Sequence, residues 1–422
     1  MSSGYAAVAV PDDHALDAVL AWLDNESLLR AGAACRRWRE RTTRRDAWRG
    51  RVAEVGWTRG MHPRDAYVRS LDVRARWRRR CVAVTELPRN LKMLCADGDW
   101  LVCGHETMLP RDGVYGRSPC VRIYDAATTR TVAELAVHAR AAALSRTNAL
   151  CASLSPRAAL SPVCDMRCDV WAPPRAGGRW RAACTVPIER TMSAAAALRW
   201  QGDTLLVYDN CCTAAGPSCY AEWFDVGAGA ARSVSRREYD DIPTGGQLVC
   251  SGPLAMVASG WEIRVLDPRT RDVVPLMTLR REPADHPIAT EITALDDGRH
   301  IAMQRYVRCV ELWDVRAARA DATPVARLRD VRWHGILCAT ARGTVLGYAD
   351  RPCPRHTAVR RACGIAIEEW DTVRGSAEAL LEVGDACDAE SYGCAWADER
   401  RAVVMRVPGT ALLFDADATT HS

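Results

Sequence analysis

One short pattern recurs along this chain and constrains its fold more than any other feature. Two or three apolar residues lead into an aromatic residue or leucine, then aspartate or an equivalent, then a small polar turn. It reads Val121-Arg-Ile-Tyr-Asp125, Cys168-Asp-Val-Trp-Ala172, Ala221-Glu-Trp-Phe-Asp225, Ile263-Arg-Val-Leu-Asp267, Val310-Glu-Leu-Trp-Asp314, Ile367-Glu-Glu-Trp-Asp371 and Ala411-Leu-Leu-Phe-Asp415. Successive copies end 47, 53, 42, 47, 57 and 44 residues apart. A period of that size marks a supersecondary unit repeated seven times, each copy burying its apolar faces against its neighbours.

The residues before each copy read as two more strands. First strands are expected at Leu91–Ala96, Ala141–Ser145, Ala194–Trp200, Gln247–Cys250, Ile292–Asp296, Ile336–Thr340 and Tyr392–Ala397. Turns such as Asp97-Gly-Asp, Gln201-Gly-Asp and Asp297-Gly-Arg separate them from second strands, for example Trp100–Gly104, Thr204–Tyr208 and His300–Gln304. The recurrent pattern is the third strand. A fourth, such as Thr131–Val137 or Val273–Leu279, completes the unit. The last copy stops soon after Asp415 and lacks its fourth strand, whereas Cys81–Glu86 has no partner of its own. Pairing these two would close a ring and leave no free edge at the join.

This region resembles WD-repeat β-propellers, with seven blades of four strands. It departs from that family in lacking most of the Gly-His dipeptides and the His–Asp–Ser/Thr–Trp network. The resemblance implies a recognition face built from the loops between second and third strands and between blades. The longest such loops are His105–Pro119, Ser155–Met166, Asn210–Ser218 and Ala349–Cys363. They carry or adjoin Arg111, Arg117, Arg157, Arg167, Arg351, Arg355, Arg360 and Arg361. Guanidinium clusters grip phosphate or carboxylate through paired hydrogen bonds. Arg111, Arg157, Arg355 and Arg360 are therefore the candidates for binding an acidic or phosphorylated target. The competing reading is that arginine is simply the surface residue of this chain.

Ahead of the repeats, periodicity is helical. Leu16, Val19, Leu20 and Leu23 give one apolar helix face behind Pro11, Asp12 and Asp13. Leu28, Leu29 and Ala31 follow a turn at Asp24-Asn25-Glu26, with Ser27 available as N-cap. Cys35 and Trp38 lie three apart, and Trp48 follows ten later behind Asp46. Residues 10–52 resemble an F-box. The family's order of Leu-Pro, acidic pair, Leu-x-x-Ile/Val-Leu, Leu-Asp turn, Leu-Leu, Val-Cys-Arg-x-Trp and late Trp appears as Val10-Pro11, Asp12-Asp13, Leu16, Val19-Leu20, Leu23-Asp24, Leu28-Leu29, Ala34-Cys35-Arg36-Arg37-Trp38 and Asp46-Ala47-Trp48. Valine replaces the leading leucine, alanine the valine before Cys35, and one residue is missing before the last tryptophan. The resemblance implies that Pro11, Leu16, Leu20, Leu23, Leu28, Leu29, Cys35 and Trp38 bind the Skp-type adaptor of a cullin–RING ubiquitin ligase.

Between the two regions, residues 53–80 form a basic connector with helical pieces broken near Gly60 and Pro63, ending in Arg74-Ala-Arg-Trp-Arg-Arg-Arg80. Such a run suits nucleic acid or nuclear import, but also a solvated helix end. Propeller-bearing F-box proteins often show a similar stretch, which favours the second reading.

Composition narrows the remaining options. The net charge of +5 on 422 residues is too mild to argue for nucleic acid by itself. No run approaches the 18 apolar residues of a membrane span, and the first residues lack a secretory leader's basic and apolar regions. The 19 cysteines read as buried reduced thiols. Cys164, Cys168, Cys211, Cys212 and Cys219 lack the paired spacing of a zinc site. No catalytic motif or phosphate loop is present. Lys92 is the single lysine among 57 basic residues. With Phe, Ile and Asn also scarce, that is the pattern of GC-rich coding, although a ligase subunit with few lysines also offers few sites for its own modification.

The expected molecule is multidomain: a small all-α F-box followed by an all-β seven-bladed propeller. Its parts are a disordered 1–9, the F-box 10–52, the connector 53–80 and the propeller 81–422, with 81–86 closing the last blade. It is expected to be a non-catalytic substrate-recognition subunit of an SCF-type ligase, in the cytoplasm and/or nucleus (the host's, for a viral chain). Its partners would be the adaptor, the cullin complex and a target protein, phosphorylated or plain, with no cofactor, metal, membrane or nucleic acid. The alternative is a non-ligase scaffold whose F-box-like helices only cap the propeller.

Overall fold

The structure, a computed structural model, describes residues 13–418 apart from short stretches, the longest of them 106–119, 279–288 and 353–361. Among the described residues five α-helices come first: α1 (Asp13–Trp22), α2 (Asn25–Ala34), α3 (Arg36–Thr42), α4 (Arg45–Trp48) and α5 (Pro63–Arg78). Strands follow, and among the described residues they form seven antiparallel sheets. Six have four strands. The second has five, because Thr191–Ser193 pairs with Val163–Asp165. The first strand of each sheet lies against the first strand of the next, and the seventh against the first. The sheets therefore ring an axis, and the β region is a propeller.

The recurrent sequence pattern has a physical explanation here. It forms the third strand of each sheet, covered on both faces by neighbouring sheets. Tyr124, Phe224, Leu266, Trp313, Trp370 and Phe414 are buried there. Wide side chains suit that position, where sheets diverge from the axis. The aspartate that follows starts the turn that leaves the third strand. Asp125 Oδ1 accepts from Thr128 N at 2.7 Å, Asp371 Oδ1 from Val373 N and Arg374 N at 3.0 Å each, and Asp415 Oδ1 from Asp417 N at 2.8 Å. This is the Asx turn, in which a short carboxylate satisfies amides the chain would otherwise leave bare.

Three residues before the end of the pattern lies a polar tie to the fourth strand that the sequence reading did not flag. Arg122 pairs with Glu134 at 3.2 Å and Glu311 with Arg327 at 3.0 Å, while Asp169 accepts from Thr185 Oγ1 at 2.7 Å. Each pair is directly opposite in the strand register.

Ala83–Leu87 pairs antiparallel with Thr410–Asp415, from Ala83 opposite Asp415 to Leu87 opposite Ala411. The seventh sheet is thus built from both ends of the β region. Elsewhere some strands run longer than expected. The segment Asn210–Ser218, expected as a loop, is mostly ladder: Thr204–Thr213 and Gly216–Gly227 pair until Thr213 faces Gly216. Asn, Ala, Gly and Pro are weak strand formers, but ladder pairing to a neighbour overrides local preference. Val345–Pro352 and Ala362–Asp371 likewise continue into the stretch read as the loop Ala349–Cys363. Two first strands begin earlier than expected, at Ala289 and Trp333.

Candidate functional site

The helical segment is held by local chemistry at its turns. Asp24, not Ser27, caps α2: its Oδ1 accepts from Ser27 N at 2.7 Å, and that bond lowers the Asp24 pKa. Arg51 caps the other side of the turn. Its guanidinium donates to the carbonyls of Leu20 and Ala21 at 2.8 Å each, and to that of Leu23. A cation there satisfies orphan carbonyls and opposes the negative end of the helix dipole. Where α2 approaches α3, a Cβ on Gly32 would sit 2.5 Å from Thr42 Oγ1, so the contact requires glycine. Trp48 is fully buried, donates to Thr42 O at 2.6 Å, and packs on Tyr67 of α5 with ring centroids 5.6 Å apart.

That packing decides which apolar residues a partner could reach. Leu16, Leu20 and Leu28 are buried, and Leu20 and Leu28 share a core with Trp48 and Tyr67. These three of the residues that the F-box resemblance assigns to adaptor binding are therefore packed inward in this chain. Five α-helices, not two, close over them, with α5 supplying Tyr67. Leu23, Leu29 and Trp38 are half-buried against the same core, and Cys35 is exposed. Pro11 lies outside the described residues. What α1 does present is its other side. Ala15, Ala18, Val19 and Trp22 are exposed, with Val19 at 47% and Trp22 at 90%. Spaced three and four apart, they form one stripe. Helical periodicity alone did not find it, because α1 is apolar on two sides.

The connector is a mount. α5 begins at Pro63, with His62 Nδ1 accepting from Arg64 N at 3.2 Å. It lies on the rim formed by the first-to-second strand turns of the sixth and seventh sheets. Trp77 Nε1 donates to Glu399 O at 2.8 Å, and Ser70 Oγ donates to Glu399 Oε1. Glu399 Oε2 accepts from Ala341 N at 2.9 Å. Arg342 donates to Ser70 Oγ at 3.0 Å and pairs with Glu369, which also meets Arg74 at 2.6 Å. Burial pushes the Glu399 carboxyl up, against the pull of Ser70, Ala341 N and Arg342. Three of the arginines that invited a nucleic-acid reading meet carboxylates of the ring: Arg74 and Arg78 meet Glu378, and Arg80 meets Glu382 at 3.8 Å, while Arg76 pairs with Asp72 of its own helix at 3.1 Å.

The same rim joins the last sheet to the first. Arg401 reaches Asp99 at 3.0 Å and Asp415 at 2.8 Å, and Arg400 reaches Asp417 at 3.6 Å. Arg69 of α5 pairs with Asp417 at 2.5 Å.

Arg111, Arg157, Arg355 and Arg360, the candidates for target binding, lie outside the described residues, as do Arg117 and Arg361. Of the neighbours, Arg167 is tied to Asp169 at 2.8 Å and Arg351 to Glu382 at 3.3 Å. The ends of the second and third strands that carry them lie at the rim opposite α5, as alternating antiparallel strands require. Cys103, Cys151, Cys168 and Cys219 are buried, and burial pushes the Cys103 and Cys151 thiols up to about 12. Among the described residues no group of three or more His, Cys, Asp or Glu is placed to hold a metal, and no helix is long and apolar enough to cross a membrane.

No protein-family model matches the chain, and no curated protein sequence matches it. Many solved structures are similar to it, two of them as follows. The β-propeller domain of Myceliophteria thermophila Cps50 (Swd1) is 14% identical, covering 79% of this chain and 99% of that one, with a TM-score of 0.48. U3-55K is 10% identical, covering 79% of this chain and 98% of that one, also with a TM-score of 0.48. The assignment of the propeller rests on the seven sheets and their closed order.

Proposed function

We propose that this chain is the substrate-recognition subunit of an SCF-type cullin–RING ubiquitin ligase. In this reading residues 10–52 are an F-box that engages a Skp-type adaptor, and the propeller holds a target protein. The mechanism is proximity: a target lysine is kept near the charged ubiquitin carrier, raising its effective concentration. The observation that carries the reading is Trp22, 90% exposed on a helix whose opposite side is fully packed. A large aromatic left in water beside Val19 has the character of an interface anchor. The α5 mount supports it, since proximity needs a defined geometry between the two ends. The target would sit on the rim opposite α5, where the second strands run into the third, and Arg111, Arg157, Arg355 and Arg360 remain the proposed contacts.

The burial of Leu16, Leu20 and Leu28 favours a second reading, a scaffold whose helices only cap the ring. Capture by a purified Skp-type adaptor separates them. The ligase reading expects the unchanged chain to be retained, and the double variant V19D/W22A to lose at least tenfold in affinity with its melting temperature unchanged. An anchor at an interface centre is worth about 2 kcal/mol or more. If the adaptor fails to retain the unchanged chain, the cap reading stands.

A further inference from the structure

The chain has one lysine, Lys92, and every other basic side chain is arginine. Lys92 lies in Leu91–Asp97, the first strand of the first sheet, opposite Gly104. First strands are the ones that meet their counterparts around the axis, so its backbone is on the innermost layer of the ring. Its neighbour Leu91 is buried in the cluster that joins the first and seventh sheets. The outer surface, meanwhile, is rich in arginine: Arg36, Arg80 and Arg374 are exposed on helix, connector end and turn.

Ubiquitin transfer distinguishes these side chains. A lysine ammonium first gives up a proton. The free amine then adds to the thioester carbonyl on the carrier, the carbon–sulfur bond breaks, the carrier cysteine leaves as thiolate, and an isopeptide bond remains. Arginine cannot enter this sequence, because its delocalised guanidinium keeps its proton up to a pKa of about 12 or higher. Resting on the ligase reading above, we infer that the chain is exempt from modification by the ligase it serves. It presents cations over its surface as guanidinium groups, and it has a single lysine, whose backbone lies on the innermost layer of the ring. Coding bias accounts for how such a composition arises, and the chemical consequence is the same whatever its origin.

The test is a reconstituted ligase containing adaptor, cullin, RING subunit, charged carrier and the full chain. Adaptor capture is scored first and reports on the ligase reading alone. Given capture, ubiquitin on the chain itself is followed by electrophoresis and mapped by mass spectrometry. Three substitutions restore an amine while keeping the charge: Arg36→Lys, Arg232→Lys and Arg374→Lys, at exposed positions on helix, outer strand and turn. The expected result is no conjugate on the unchanged chain and at least a tenfold gain of conjugate in the triple variant, mapped to the new lysines. A conjugate on the unchanged chain, at Lys92 or elsewhere, overturns the inference. So does a triple variant that binds adaptor and stays unmodified, since lack of lysine would then not be what protects the chain.

Discussion

Helices α1 and α5 belong to one N-terminal segment and carry opposite kinds of surface. α5 has almost no apolar periodicity, yet it is the helix locked onto the ring: Tyr67, Ser70, Val73 and Trp77 are buried, and its arginines meet carboxylates of the sixth and seventh sheets. α1 is the more apolar, and it leaves Val19 and Trp22 in water. Apolar content alone therefore misassigns them. Attachment of α5 comes from a few buried side chains and a charged network completed by the ring, while the unused apolar side of α1 is what remains for a partner.

The largest effect that could break this comparison is at Trp77. It packs with Val73, Leu380 and Leu381 and donates to Glu399 O. Trp77→Ala should cost about 3–5 kcal/mol, the range for emptying a large aromatic site in a core. It should lower the urea midpoint, whereas Trp22→Ala should move stability by no more than about 0.5 kcal/mol. If the two variants unfold together, α5 is no more a mount than α1.

Next in size is Leu20→Ala. Leu20 shares a core with Leu28, Trp48 and Tyr67, and its carbonyl accepts from Arg51. Truncation should cost about 2–5 kcal/mol locally, loosening α1–α4 while the ring keeps its own transition. Hydrogen exchange checks this: amides of α1 and α2 should lose protection and those of Val403–Val404 should not. Exchange unchanged in both would return Leu20 to the outward face that the sequence suggested.

The seven-fold repeat and the strand order were legible because their causes are local, and the closing pair followed from the count, a last unit short of one strand and a segment before the first with no partner. An aspartate that starts an Asx turn, an aromatic one residue before it, and Gly/Asp turns between strands all leave a mark within ten residues. The facing of α1 was not legible, because Leu16 and Val19 look alike until Trp48 and Tyr67 choose a side. Nor was the mount: Ser70 and Glu399 are 329 residues apart. No short-range pattern connects them, and a buried glutamate in a turn reads from sequence as an exposed one. The long hairpin through Asn210–Ser218 escaped for a related reason, since its strand character comes from its partner strand.

The smallest effect lies where the mount runs out into solvent. Arg400 and Arg401 follow the buried Glu399, and Arg401 reaches Asp99 across the join between seventh and first sheets. Asp99 is the exposed member of that pair, with 68% of its side chain accessible. Burial acts to raise its pKa, but the hydrogen bond from Arg401 and the charges of Arg400 and Arg401 outweigh it, and the folded value lies below the ordinary 3.8. A carboxyl whose folded pKa is depressed adds stability above its unfolded pKa and loses it as pH falls through the folded value. Asp99→Asn should therefore cost little at pH 7, about 0–1 kcal/mol for a solvent-screened pair. The difference from the unchanged chain should shrink as pH drops below 3.8 and weaken with added salt. Glu399 has the opposite sign: burial holds its pKa up, so its ionised form is penalised at neutral pH and relieved in acid. Denaturant midpoints measured at pH 7 and at a pH below 3.8 for D99N and E399Q should then diverge in opposite directions relative to the unchanged chain. Parallel pH dependence would mean that the buried half of this rim and its exposed half are one electrostatic unit.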